Sequence, residues 1–288
     1  MPPAAPIVTR FAPSPTGLLH LGHAFSAWFA WHAAQKAGGR FLLRLEDIDR
    51  NRCRPEFEAA ILEDLAWLGL AWETPVRRQS DHFPDYRRAL GQLDARGLIY
   101  PCFCTRADIA TEINNADAAP HGPDGPVYPG TCRHLSWEEA EERKAAGIAF
   151  ALRLKVDDAL AATGPLTWTD LDKGEQRVQA AAFGDVVLAR KDTPTSYHLA
   201  VTVDDAIQGV TLVTRGEDLF AATHIHRLLQ ALLDLPVPQY RHHGLLTDAD
   251  GRRFAKRDKA LTLRALREAG TSPPEVWAMA GVKPEHRP

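Results

Sequence analysis

The sequence predicts an α/β fold, and three stretches carry that prediction: residues 7–23, residues 42–50 and residues 196–219. In the first, Ile7, Val8 and Phe11 form a short apolar strand, Pro13, Pro15 and Gly17 punctuate a turn, and a helix runs from Leu18 onward. Such a unit delivers backbone N–H groups and the positive end of a helix to an anion at the carboxyl end of the strand, as in a Rossmann-type nucleotide site. The helix opens on His20-Leu21-Gly22-His23. Its two histidines, three apart, share a face of the first turn and can donate hydrogen bonds to the phosphates of ATP, while Gly22 leaves room for a ligand. The plain alternative is a pair of histidines that decorate a helix start. In the second stretch an apolar strand, Leu42 to Leu45, runs into Glu46, Asp47 and Asp49. The third supplies apolar strand material at Leu199 to Val203 and at Gly209 to Val213.

The remaining elements follow in order. Residues 1–100 read as the first half of the nucleotide fold, with helical spacing at Phe57 to Leu68 and Tyr86 to Arg96, each ending near glycine, at Gly69 and Gly97. Residues 101–190 read as an inserted subdomain. It holds a long loop between Cys104 and Tyr128, a polar helix from Trp137 to Ala146 and an alternating strand from Ala149 to Val156. Ser136 followed by Glu139 has the spacing of a capping box for that helix. Residues 191–250 resume the nucleotide fold and include an amphipathic helix from Ala222 to Leu233. Residues 251–288 hold the basic loop Arg252-Arg253-Phe254-Ala255-Lys256-Arg257 and a short helical element around Thr262 to Ala269.

Composition narrows the class. With 288 residues, 45% of them hydrophobic, the chain can bury a substantial core, and it contains no apolar run long enough to span a membrane. Its start, Met1-Pro2-Pro3-Ala4-Ala5-Pro6, lacks the pattern of a secretory signal, so a cytoplasmic location is expected. A monomer is expected too, though no residue pattern carries that expectation. A net charge of −3 excludes a generally basic nucleic-acid binder. RNA contact would rest on local patches at Arg77-Arg78, Arg87-Arg88 and Arg252 to Arg257.

The four cysteines do not form a disulfide framework for a chain of this size and compartment. Cys102, Cys104 and Cys132 offer three soft ligands for one tetrahedral, structural zinc, whereas Cys53 belongs to no cluster. Tyr128, His121, His134 or water completes the set, and imidazole is the better general zinc ligand. The alternative is three buried free thiols without a metal.

Taken in order, HLGH, LRLEDIDR, the pair SYHLAV and VTRGEDL, and RFAKR resemble the signatures of the class I aminoacyl-tRNA synthetases, specifically the glutamyl branch. The resemblance spans roughly residues 6–260. It implies a Rossmann-type catalytic domain with an inserted zinc-bearing subdomain and a short helical C-terminus. It implies ATP with magnesium as substrate, His20, Gly22, His23 and Lys256 at the phosphates, and His20, His23 and Lys256 as catalytic groups. A glutamate site is implied at Arg10, Phe11, Ala12, Pro13, Ser14, Glu46, Tyr197 and Arg215. Arg10 and Arg215 would fork onto carboxylates and Glu46 would face the ammonium. Without the family, Arg215 and Glu217 read as an exposed pair on a turn. A Cys-x-Cys, Tyr-x-x-x-Cys metal site in short paralogues of the family selects Tyr128 as the fourth ligand.

Two departures stand out: the second signature lacks its usual first lysine and serine, and Val201 replaces an asparagine. With the 31 residues after Arg257 leaving no room for an anticodon-binding region, they resemble the short glutamyl-queuosine branch. That branch implies tRNA-independent activation of L-glutamate and transfer to queuosine at the wobble position of tRNA(Asp), an accessible base in a single-stranded loop. The rivals are a truncated or ordinary glutamyl-tRNA synthetase charging tRNA(Glu), a catalytically silent tRNA-binding paralogue, and a small nucleotidyltransferase.

Overall fold

A computed structural model of the chain describes residues 6–115, 121–123, 125–246 and 262–288. The first half alternates strand and helix: β1 (Val8–Phe11), α1 (Leu21–Lys36), β2 (Arg40–Leu45), α2 (Pro55–Trp67) and β3 (Glu73–Arg78). The three strands pair in parallel, in the order β1-β2-β3. Helix α1 lies close on this sheet because Ala24, Ala27, Ala30 and Ala34 form its inner face, close enough for the Thr9 hydroxyl to donate to the Ala30 carbonyl at 2.8 Å. Gly69 and Gly97, at φ of 82° and 67°, follow α2 and α3 (Phe83–Ala95) in the left-handed backbone that closes a helix.

The middle of the chain contains β4 (Ile99–Cys102), α4 (Arg106–Asn115), the two-residue strands β5 (His121–Gly122) and β6 (Gly125–Pro126), α5 (Trp137–Ala145), β7 (Ala151–Leu154), α6 (Val156–Thr163), β8 (Thr167–Asp170), β9 (Gly174–Arg177) and β10 (Val187–Ala189). The capping box read at Ser136 and Glu139 is present at α5. Strands β10-β7-β4 make an antiparallel sheet. Strands β8 and β9 instead join β11 (Leu212–Gly216) and β12 (Gln239–His243), which follow α7 (Tyr197–Ile207) and flank α8 (Ala222–Leu232), in the order β11-β12-β8-β9.

The two parallel groups meet at β1 and β11. Thr211 N donates to the Val8 carbonyl at 3.0 Å and Val8 N to the Thr211 hydroxyl at 2.8 Å. The spatial order is therefore β3-β2-β1-β11-β12-β8, with strand order reversing at the β1/β11 seam, where open α/β sheets place their ligand sites. Helices α9 (Leu263–Glu268) and α10 (Pro273–Met279) pack on the first half. Leu263 N donates to the Leu19 carbonyl at 2.8 Å, and Trp277, 2% exposed, donates to the Leu68 carbonyl at 3.2 Å. Among the described residues no helix is long and apolar enough to cross a membrane.

Four expected elements are corrected. The loop expected between Cys104 and Tyr128 holds helix α4 (Arg106–Asn115) and the short strands β5 and β6. The first helix begins at Leu21, because His20 is its extended N-cap residue at φ −127°, ψ 176°. Residues 199–203 are helix, not strand. Ser196 caps α7 at the Leu199 N–H, and Leu199 to Asp205 are all buried between neighbouring helices and sheet, which removes the amphipathic period. The strand expected over 149–156 is confined to β7, and Val156 starts α6.

Candidate active site

A cavity of about 360 Å³ opens at the seam. It is lined by Arg10 and Phe11 from β1, His20, Gly22 and His23 from the start of α1, Glu46 just beyond β2, Tyr197 and Val201 from α7, and Thr214 to Gly216 from β11. Of the expected glutamate set, Arg10, Phe11, Ala12, Glu46, Tyr197 and Arg215 line it. Pro13 is buried and Ser14 is exposed, and neither is among the lining residues. Lys256 and the basic loop from Arg252 to Arg257 lie outside the described residues.

The two histidines are built into the helix start. His20 Nδ1 accepts from Gly22 N at 3.1 Å, and His23 Nδ1 accepts from His20 N at 3.2 Å, a reciprocal capping box closed by imidazoles. A neutral ring that accepts at Nδ1 carries its proton on Nε2, so both histidines are set as Nε2–H donors. Gly22 serves this cap as well as the cavity, since a Cβ there would meet the His20 ring at 3.0 Å.

Arg10 and Arg215 differ in a way the sequence did not reveal. Arg10 grips Asp205 with Nε at 2.9 Å and Nη2 at 3.3 Å, and donates Nη1 to the Thr214 carbonyl at 3.1 Å. The expected fork of Arg10 is thus occupied by a carboxylate of the protein's own. Asp205 also takes Arg44 Nη1 at 2.8 Å, and Arg44 Nη2 reaches Glu46 at 3.2 Å. Burial pushes the Asp205 carboxyl up, but Arg10 and Arg44 outweigh it and hold the group below its ordinary range. At Glu46 burial prevails over the same arginines, and its carboxyl is raised.

Among the described residues Arg215, 6% exposed, has four neutral partners: His242 Nε2 at 3.1 Å, Tyr197 Oη at 3.3 Å, His226 Nδ1 at 3.1 Å and the Thr223 hydroxyl. Burial and the Arg215 charge hold His226 well below its ordinary value, and the same two causes bring His242 down to about 4 despite Asp170. Arg215 therefore brings an unneutralised positive charge to the cavity wall, suited to a ligand carboxylate. The reading of Arg215 and Glu217 as an exposed pair is corrected: Arg215 is buried and Glu217 pairs with Lys173.

Sequence reasoning gave no role to Asp205, Arg44, His226, His242 or Thr223. Only Asp204-Asp205, two acids inside an apolar run, carried a signal, since buried carboxylates demand partners. Ser26, Phe25 and His243 also line the cavity, with Ser26 Oγ 3.1 Å from His243 Nε2.

A second cluster lies at β4 and the turn before α5. The sulfurs of Cys102, Cys104 and Cys132 lie within 4.8 Å of one another. Tyr128 Oη sits 3.4 Å from Cys102 Sγ and 3.5 Å from Cys104 Sγ and accepts from Cys132 N at 2.9 Å. His134 is exposed, and the His121 side chain lies outside the described residues.

The family model for class I tRNA synthetases (E and Q), catalytic domain, matches residues 6–280. The chain is 52% identical over 282 residues to the glutamyl-Q tRNA(Asp) synthetase of Rhodobacter capsulatus, covering 96% of this chain and 100% of that one. It is 46% identical over 277 residues to the protein of the same name from Symbiobacterium thermophilum, covering 93% and 83%. A solved glutamate-tRNA synthetase from Elizabethkingia anophelis superposes with a TM-score of 0.76 at 27% identity, covering 88% of this chain and 53% of that one. The chain thus spans about half the length of that structure. The chain belongs to the class I tRNA synthetase family of the E and Q type and, within it, to the family of its glutamyl-Q tRNA(Asp) synthetase relatives.

Proposed function

We propose that the protein activates L-glutamate with ATP, without tRNA, and transfers the glutamyl group to queuosine at the wobble position of tRNA(Asp). The observation that carries the activation step is one cavity joining a histidine-capped helix start to Arg215, a buried guanidinium whose partners among the described residues are neutral. The names of the relatives, at 46–52% identity over most of the chain, support the acceptor.

In this reading the substrate's side-chain carboxylate is drawn to Arg215, and Glu46, steadied by Arg44, faces the ammonium group. The α-carboxylate oxygen attacks the α-phosphorus of ATP, its bond to pyrophosphate breaks, and no covalent enzyme intermediate forms. The protein's part is positioning and charge stabilisation. His20 and His23 donate to the phosphate oxygens from Nε2, Lys256 reaches the same phosphates, and magnesium accompanies the polyphosphate. Cys102, Cys104, Tyr128 and Cys132 would hold one zinc. A tetrahedral ion with bonds of about 2.3 Å separates its sulfurs by roughly 3.8 Å, and Cys104 and Cys132 stand at 3.4 Å. The ion's role there would be structural.

Incubation with labelled glutamate and ATP, using matched tRNA pools with and without queuosine, tests the reading. Label on the modified tRNA alone is expected. Equal label on both would point to terminal-adenosine chemistry, and absence of both label and glutamate-dependent pyrophosphate exchange would mark a silent paralogue.

A further inference from the structure

Behind Arg215 lies a hydrogen-bonded chain that reaches a different part of the fold. His242 Nδ1 stands 2.7 Å from Asp170 Oδ2, and both side chains are fully buried. On the far side of the ring, Arg215 Nε donates to His242 Nε2 at 3.1 Å. Guanidinium nitrogens only donate, so Nε2 must be the ring's acceptor and Nδ1 must carry the proton. Asp170, from β8, is the group that enforces this choice. Its other oxygen is held by the backbone N–H groups of Asp172 at 2.9 Å and Lys173 at 3.0 Å, which fixes the carboxylate toward the ring. Neither Asp170 nor His242 is among the residues lining the cavity.

We propose that Asp170 and His242 are positioning residues for carboxylate recognition: Asp170 locks His242 as the Nδ1–H tautomer, and the freed Nε2 lone pair sets the Arg215 guanidinium in the cavity wall. The inference rests on the reading that Arg215 receives the glutamate carboxylate. It adds that a strand from the middle of the chain, paired to β12 beside Asp170, helps determine how well the substrate is held.

The isosteric variant Asp170→Asn tests this, and it also replaces the oxygen that accepts from the His242 backbone N–H at 3.3 Å. If its oxygen keeps the two turn N–H groups, its amide nitrogen faces His242 Nδ1 and turns that atom into the acceptor. The ring proton then moves to Nε2, directly against the Arg215 N–H.

Two measurements test the proposal. Nitrogen-15 NMR of histidine-labelled protein, which needs no substrate, is expected to show the His242 proton on Nδ1 in the wild type and on Nε2 in Asp170→Asn. Glutamate-dependent pyrophosphate exchange is expected to show a glutamate KM raised about tenfold or more in Asp170→Asn and His242→Leu, from loss of a charge-assisted hydrogen bond. The KM for ATP and kcat at saturating glutamate should stay within about threefold, whereas general damage to the sheet would move all three. His242→Gln, which can place an acceptor oxygen near the Nε2 position, should restore the glutamate KM to within about threefold of wild type. A wild-type proton on Nε2, or an unchanged glutamate KM in a folded Asp170→Asn, overturns the proposal. Wild-type protein without glutamate-dependent exchange would sink the glutamate reading instead, and the tautomer measurement would still decide this one.

Discussion

His20 holds two jobs in one ring. Its Nδ1 caps α1 by accepting from Gly22 N, and that commitment makes Nε2 a donor. The two jobs separate by substitution. His20→Ala should lower unfolding free energy by about 1 kcal/mol through loss of the cap, and should also cut pyrophosphate exchange by about a hundredfold through loss of a phosphate donor. His20→Asn keeps a good capping side chain, so chemical denaturation should find it near wild-type stability while exchange stays as low as in the alanine variant. Equal activity of His20→Asn and wild type would remove the imidazole from the chemistry. The HLGH pattern was legible in the sequence as two histidines three apart at a helix start. The sequence showed the pair, and only the structure shows that the cap chooses the tautomer.

At the scale of elements, legibility followed local signals. Helices α2, α3 and α8 were readable from the helical spacing of their apolar residues, and the polar α5 from its capping box. Helix α7 was not, because burial on every side leaves a continuous apolar run that also fits a buried strand. Strand β8 hid for another reason: Asp170 ends it with a carboxylate whose partner, His242, lies 72 residues away. The docking of α9 on α2 holds a similar buried acid. Asp64 is fully buried, neither of its oxygens has a hydrogen-bond partner among the described residues, and Arg267 stands 3.6 Å away while bonding Glu63 at 2.9 Å. Burial raises the Asp64 carboxyl to about 6, against the pull of Arg267 and Arg264. Its ionisation is therefore easier in the unfolded chain, and the group destabilises the fold increasingly as pH rises from about 4 to 6. Asp64→Asn should stabilise the protein by about 1–3 kcal/mol at pH 7, with the gain fading below pH 6 and gone near pH 4. Thermal melts across that range check it, and a gain that persists at pH 4 would contradict the assignment.

Across the whole molecule, the two halves are joined by charge as well as by apolar packing. Arg10, Arg44 and Glu46 come from β1, β2 and the residue after β2, and Asp204 and Asp205 come from α7. Arg77, at the end of β3, reaches Asp204 at 2.8 Å. The seam that makes the cavity is thus bridged by ions whose removal one at a time leaves buried charge unpaired. Histidines add a second layer on the far side: His224, His226, His242 and His243 are all buried, and burial lowers each of them, His242 to about 4. A histidine lowered from 6.5 takes up its proton first in the unfolded chain, so stability is intact above pH 6.5 and falls as pH drops toward the folded value. For His242 alone, the shift corresponds to roughly 3 kcal/mol lost by pH 4. Asp205, lowered by Arg10 and Arg44, adds its loss below about pH 4. Asp64 and Glu46, both raised by burial, work in the opposite direction as pH falls, but two carboxyls against four buried imidazoles do not reverse the trend. Urea denaturation at pH 7.5, 6 and 4.5 should therefore give a midpoint that is highest at pH 7.5 and falls at each step, the larger fall lying between pH 6 and 4.5. A midpoint that holds level from pH 7.5 to 4.5 would mean that these imidazoles keep near-ordinary proton affinities in the folded protein, and the neutral surroundings assigned to Arg215 would not stand.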